Sequence, residues 1–447
     1  MQTPTRRHTD TPIRFPLAVC LDEKAKAGAF AYVAEKFYCF LERKLLKQFV
    51  LSRSGFWIIT ARIVWLVALA GLVVRFSCGG SHRSYAFNDY MLAGSHWMRG
   101  EYLYANWRGF IYSPVTAAFF VPFSCLPPAV AYGLWLLANA AALLGGLAAL
   151  FVLFPGFSPK CAGIVYLLLL PLALGNLDVG QSNPLVVGLL MFAIVAVRAE
   201  RWNIAALCVA IPTFFKIYPL AVGMLICVIA PRRFVWRLLV ALLFLAVAPF
   251  LLQHWSYVSD QYHAWIETRT LDNRLHYPEK YVPVDLWFLL HWVCRLPIQP
   301  WFYSLIQAGT GAAAALLCIW GTSKNWKNER VLTGLFFMGS VWMPLCGPAT
   351  ESHTYLLMAP ALVLALVQSF HERQSTVLRA LLSLAFALQL INHDSRTLYL
   401  FHFKQRWVFS AQPLSALLFL GYCVFWLLND SFWPEERSVS STGTRRA

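Results

Sequence analysis

Apolar runs long enough to cross a bilayer recur along most of this chain, beginning with Phe56–Phe76 (FWIITARIVWLVALAGLVVRF). A hydrocarbon core about 30 Å thick needs roughly 20 apolar residues when the backbone is helical. Helices are also the form in which a single segment bonds all of its own peptide groups. Further runs cover Ser113–Leu126, Ala129–Phe154, Cys161–Leu174, Pro184–Val197, Ile204–Ala230 and Phe234–Leu252. A second series follows at Trp301–Gly321, Val331–Leu345, Tyr355–Phe370, Val377–Ile391 and Pro413–Leu428. Of the 447 residues 59% are hydrophobic and 13% charged, about half the charge of a soluble domain. The expected class is an all-α, polytopic integral membrane protein with about 12 transmembrane helices.

The charge balance gives these spans a direction. The formal net charge is +16. In a polytopic chain that excess belongs to cytoplasmic loops, so no nucleic-acid partner is expected. The turns Pro231-Arg232-Arg233, Lys324–Arg330 and His371–Arg379 all fall on the cytoplasmic side when both termini are inside. One loop, Arg198-Ala199-Glu200-Arg201, then falls outside; splitting Ile204–Ala230 into two half-helices at Phe215–Pro219 would move it inside. Several runs near residues 112–219 are shorter than a straight span needs, and short or broken helices are tolerated where they line a cavity. The 11 cysteines are scattered without a CxxC pair and read as small hydrophobic residues.

Three segments follow from this layout. Residues 1–54 are polar and basic, without the apolar core of a cleavable leader. Their residues Phe30, Val33, Phe37, Leu41, Leu45 and Phe49 recur at helical spacing, as in a basic amphipathic helix on the inner leaflet. Residues 55–428 form the transmembrane domain, with a first outer loop at 77–112 and a larger outer loop at 253–285. Residues 429–447 form a polar cytoplasmic tail. The membrane is expected to be the cell (plasma) membrane.

Three polar clusters carry the chemistry. In the first outer loop, Asn88-Asp89-Tyr90 precedes an aromatic-rich run from Trp97 to Tyr112. Aromatic rings at that depth rest on the headgroups and hold the Asp89 carboxylate over the bilayer surface, where it can take a proton from a hydroxyl. The second cluster joins Gly175–Pro184 (GNLDVGQSNP) to Phe215–Pro219 (FKIYP). Gln181 and Asn183 supply amide donors there. Lys216 sits between apolar runs, where an unpaired charge costs about 2.5–3.5 kcal/mol, and is read as a phosphate counter-ion. The third cluster is Cys346–Tyr355 (CGPATESHTY), in which Glu351 and His353 stand at a span entrance. No Gly-rich phosphate loop, DxD pair or HExxH motif occurs, and no metal or cofactor is expected.

In series, FNDYMLAGSHWMRGEYLY, FIYSPVTAAFFVPFSCLPPAVAYGLW, NLDVGQSNPLVVGLL and FFKIYPL resemble glycosyltransferase family 87, of the GT-C superfamily, over about residues 55–370. The resemblance implies a GT-C type membrane enzyme with a catalytic Asp, here Asp89, on its first outer loop. It implies a polyprenyl-phosphate-sugar donor, of mannose in that family, and a lipid or glycan acceptor on the outer face. Asp89 would be the base of an inverting, metal-independent transfer. Lys216, Tyr218, Gln181, Asn183, Asn88, Glu351 and His353 would bind the substrates. Where the family commonly has Pro-Pro after the Tyr of its second-span motif, this chain has Tyr112-Ser113-Pro114. Two other readings share the polytopic layout. A transporter or flippase of lipid-linked sugars should show charges along the spans and often an internal repeat. A surface-glycan polymerase or ligase normally has a large outer loop with catalytic Arg and His, for which Arg269, Arg274 and His276 are candidates.

Overall fold

The computed structural model describes residues 55–105, 109–270, 275, 283–324, 326–348, 350–391 and 405–433. These all belong to the unit Ser54–Ala447. The expected amino-terminal amphipathic helix, Arg274, His276 and most of the carboxy-terminal tail lie outside the described residues.

Among the described residues every regular element is helical. In chain order they are α1 (Gly55–Ser77), α2 (Tyr85–Arg99), α3 (Pro114–Ser124), α4 (Pro128–Leu150) and α5 (Pro159–Val179). Then come α6 (Asn183–Arg198), α7 (Trp202–Phe215), α8 (Pro219–Ile229), α9 (Pro231–Val247) and α10 (Trp255–Thr270). The last are α11 (Pro300–Ser323), α12 (Asn328–Cys346), α13 (Ala359–His371), α14 (Thr376–Leu390) and α15 (Gln405–Leu428). Proline opens many of them, as at Pro114, Pro128, Pro159, Pro219, Pro231 and Pro300. It suits a first helical turn, whose amide hydrogens have no intrahelical acceptor.

Among the described residues six helices are long and apolar enough to cross a membrane, and six further apolar helices are shorter, at 10–17 residues. Burial sorts them into shells. Only 22% of the most apolar window of α1, 22% of that of α9 and 17% of that of α11 is buried inside the protein. These three present their apolar side chains outward. By contrast α12 is buried from Arg330 to Val341 without interruption, and α6 is buried over most of its length. Polar backbone inside that core is tolerated because protein surrounds it.

Two expected spans are not single long helices. Ser113–Leu126 contains α3, whose 11 residues reach about 16 Å. The hydroxyls of Ser113 and Thr116 donate to the Phe214 carbonyl at 2.7 and 2.9 Å, at the last turn of α7. Beyond its other end, Cys125 contacts Met98 of α2. Phe120 stacks on Tyr90, its centroid 4.7 Å away, so α3 packs along α2. Ile204–Ala230 is likewise no single helix. It breaks at Lys216–Tyr218, and Trp202 at the start of α7 lines the same cavity as Ile229 at the end of α8. The two helices are an antiparallel hairpin with Lys216 at its tip.

That hairpin resolves the direction of the Arg198–Arg201 loop. Arg198, Glu200, Arg232, Arg233 and Asn328 all line one cavity, so the three basic turns that contain them share one end of the bundle. The reading that puts Arg198–Arg201 opposite to Arg232 and Lys324 is overturned. The expected outer loop at 77–112 is also more ordered than a loop, because α2 occupies its centre. In the same way α10 occupies half of the expected loop at 253–285.

Close backbone approach fixes the core. A Cβ on Gly188 of α6 would fall 2.3 Å from the Ala142 carbonyl of α4, and one on Gly146 would fall 2.5 Å from the Gly188 carbonyl. Small residues in register let two helices touch along their backbones, which substitutes for the missing hydrophobic drive in lipid. Gly188→Val should therefore force α4 and α6 apart. The expected loss is about 1–3 kcal/mol or more, read as a lower thermal midpoint of purified protein. Gly133→Ala, at an α4 position with nothing within 4 Å of the new methyl, is the control and should stay near wild type.

Candidate functional site

The α5–α6 break builds the first wall of the site. Gly180 ends α5 at φ 73°, and a Cβ there would sit 2.5 Å from that of Phe87. Glycine thus satisfies both the left-handed cap and the seat of α2. The Trp135 indole donates to the Gly180 carbonyl at 2.8 Å and fixes the turn from the α4 side. Past the turn, Asn183 Nδ2 donates to Asn176 Oδ1 at 2.8 Å and to the His353 carbonyl at 2.9 Å. Gln181 Nε2 donates to Glu351 Oε2 at 3.4 Å. The GNLDVGQSNP and CGPATESHTY clusters therefore meet.

Glu351 is the centre of the arrangement. It opens the short helix Ser352–Leu357, where its backbone N–H donates to Thr354 Oγ1 at 3.2 Å. Its charge acts on Lys216, Tyr218, Tyr90 and Tyr112, which come from three other chain segments. Lys216 is half-buried and leaves the helical path at φ −148°, ψ 138°, so the chain turns back into α8. Behind it, Phe215 stacks on Trp135 at 6.0 Å. Tyr218 is buried and hydrogen-bonds the Thr354 side chain.

The α2 helix brings Asp89. Its entry is fixed by Arg75, which pairs with Asp178 and donates to the Gly80 carbonyl at 2.8 Å. Ser84 donates to the Asp178 carbonyl at 2.8 Å, and one turn further Tyr90 donates to Ser182 Oγ at 3.2 Å. Asp89 itself is half-buried, and among the described residues no hydrogen bond or ion pair engages its carboxylate. Burial raises its pKa from 3.8 to about 6. Tyr112 lies within electrostatic range of both Asp89 and Glu351, which links the first cluster to the other two.

The other carboxylate of that stretch has a different setting. Glu101 is bound by Arg99 through two hydrogen bonds, 2.7 and 2.9 Å, and its pKa is lowered by that guanidinium. It is a fixed surface ion pair.

Not every expected site residue faces the cluster. Asn88 is exposed, and its amide donates to the Ser81 carbonyl at 3.0 Å, closing the turn before α2. His353 is buried, and its carbonyl holds Asn183. Sequence reasoning missed Tyr112, Ser182 and Thr354, which carry no charge and stand out only once the breaks are brought together. Arg269, on the last turn of α10, acts electrostatically on Tyr104 and Tyr218.

The raised pKa of Asp89 has a sign that can be measured. A carboxyl whose folded-state pKa is above its unfolded value is stabilising when protonated, and that stability is lost as pH rises from about 4 through about 6. Asn mimics the neutral acid. Asp89→Asn should match wild type in thermal midpoint near pH 4 and exceed it at pH 7.5, by about 1–2 kcal/mol after allowance for partial exposure. An equal gap at both pH values would show that the carboxyl is not perturbed.

A family model, glycosyltransferase family 87, matches residues 110–348, just over half of the chain. The matched region holds Gln181, Asn183, Lys216 and Tyr218; Asn88, Asp89, Glu351 and His353 lie beyond its ends. No curated protein compared with the chain matches it. With its helical breaks gathered at one end and its peripheral helices apolar and outward-facing, the chain is a membrane glycosyltransferase belonging to glycosyltransferase family 87.

Proposed function

We propose that the enzyme transfers a hexose, mannose in the first instance, from a polyprenyl-phosphate donor to a lipid or glycan hydroxyl. The observation that carries this reading is the pairing of two settings in one cluster. One is a half-buried carboxylate without hydrogen-bond or ion-pair partners among the described residues, Asp89. The other is a cation, Lys216, within electrostatic reach of Glu351 and next to amide donors.

The chemistry follows from those settings. As the acceptor oxygen attacks the anomeric carbon, its proton passes to an Asp89 carboxylate oxygen. The bond from that carbon to the phosphate oxygen breaks, and its electron pair leaves on the phosphate. Attack opposite the leaving group inverts the anomeric centre. Lys216 offsets the charge developing on the phosphate, a contribution that is largest where water is excluded. Gln181 and Glu351 orient sugar hydroxyls. The long outward-facing helices favour a donor whose tail lies in the bilayer.

In this reading the chain crosses the membrane about twelve times, with α7 and α8 as separate crossings and α3 as none. The basic end holding Arg198, Arg232 and Asn328 lies in the cytoplasm by the excess of Lys and Arg. The Asp89–Glu351 end then faces the outside of the plasma membrane.

The test compares two carboxylates. Asp89→Asn should reduce turnover at least about 100-fold, the usual contribution of a general base. Glu101→Gln should keep most activity. Wild-type activity should fall as pH drops through about 6, as Asp89 takes up its proton. Normal turnover of Asp89→Asn would reject the base. Lys216→Met should raise the donor concentration needed for half-maximal rate while leaving a folded, monodisperse protein. An unchanged rate at limiting donor would remove Lys216 from the phosphate site.

A further inference from the structure

The opposite end of the same helices holds a second polar cavity. Its volume is about 580 Å³, and the turns α6–α7, α8–α9 and α11–α12 enclose it. Arg198, Trp202, Arg232, Arg233, Trp326 and Asn328 line it, above apolar side chains of α12. Gln181, Asn183, Lys216, Tyr218 and Glu351 of the transfer site stand at the other ends of α6, α7, α8 and α12. The 16 residues of α6 alone separate the two sites by about 24 Å.

The charges around this cavity are unevenly matched. Arg198 pairs with Glu329 at 2.9 Å, and Arg233 pairs with Glu200 at 3.3 Å while lying over the Trp202 ring at 5.8 Å. No hydrogen bond or ion pair engages Arg232 among the described residues, and it lines the same space. Arg232 and Arg233 also occupy the first turn of α9. Cations there oppose the helix dipole, so helix stability does not account for them. The unpaired Arg232 guanidinium can draw an anion into the cavity, while Arg233 is shared with Glu200, which also lines it.

The walls identify the source of the anion. The helices that border the cavity, α9 and α11, turn their apolar side chains outward, among them Leu239, Leu243, Leu316 and Ile319. A headgroup seated between the arginines would leave its acyl chains lying along those faces. Trp202 and Trp326 at the cavity suit the interfacial depth at which aromatic rings concentrate.

We propose that this cavity binds the phosphate headgroup of an anionic phospholipid, with Arg232 as its principal contact. The site is distinct from the transfer site and depends only on the chain spanning a membrane.

The test uses purified full-length protein in a neutral detergent. Native mass spectrometry counts retained lipid when phosphatidylglycerol or phosphatidylcholine is added. Wild type should retain phosphatidylglycerol in preference. Arg232→Gln should bind it about fivefold more weakly, the usual contribution of one basic residue at an anionic surface. Because Arg232 is exposed, this variant should fold, and Arg232→Lys should recover most of the binding. Arg83→Gln, an exposed arginine at the end holding Asp89, should bind like wild type. Equal binding by Arg232→Gln and wild type would overturn the proposal, as would an equal loss in Arg83→Gln. Full thermal stabilisation by inorganic phosphate alone would assign the cavity to a soluble anion and overturn the lipid.

Discussion

Two amide side chains hold the two ends of the site together. Gln181 and Asn183 stand at the break between α5 and α6, and they bind Glu351 and the backbone at His353, in the break between α12 and α13. Gln181, Ser182 and Asn183 are buried in the first break and Thr350 and His353 in the second, so the peptide groups there need partners within the protein. An amide serves here because it donates without bringing a charge. Remove these contacts and the Glu351 carboxylate loses its fixed position relative to Lys216 and Tyr218. The Arg75–Asp178 pair does the corresponding work for α2, so Asp89 is placed by residues more than 80 positions further along the chain.

The contrast between Asp89 and Glu101 shows how neighbours set chemical character. Both lie in one short polar stretch. Glu101 is held by a guanidinium and stays ionised well below neutral pH. Asp89 has partial burial without such a partner, and its ionisation is disfavoured until about pH 6. A carboxylate that ionises near neutrality keeps useful basicity, whereas one clamped in an ion pair is a poor proton acceptor.

Much of this was legible in the sequence. The apolar runs gave the membrane class, and the polar breaks GNLDVGQSNP, FKIYP and CGPATESHTY marked the segments that meet. What hydropathy could not separate was a span from a hairpin. Ile204–Ala230 is continuous enough to read as one helix, yet Lys216 and Pro219 turn it back on itself. Ser113–Leu126 is as apolar as a span but too short, and its hydroxyls at Ser113 and Thr116 bind a neighbouring helix end. Asn88 was expected among the binding residues because it adjoins Asp89. Successive helical side chains point about 100° apart, and its amide instead closes the preceding turn.

The lengths of the helices also shape what surrounds the site. At the basic end α6, α7, α8, α11 and α12 are level, since all of them reach the same cavity. From that common floor the 24 residues of α11 rise about 36 Å, whereas the 16 of α6 rise about 24 Å and the 14 of α7 about 21 Å. Of these, α6 is interior and α11 is peripheral. At the other end α11 therefore reaches about 12–15 Å further than α6 and α7, beside whose ends Gln181 and Lys216 stand. A bilayer that meets α11 keeps its full thickness there, because that helix is long enough to span it. A polar group that reaches Gln181 and Lys216 can thus sit below the level of the lipid headgroups around α11 without the membrane having to thin.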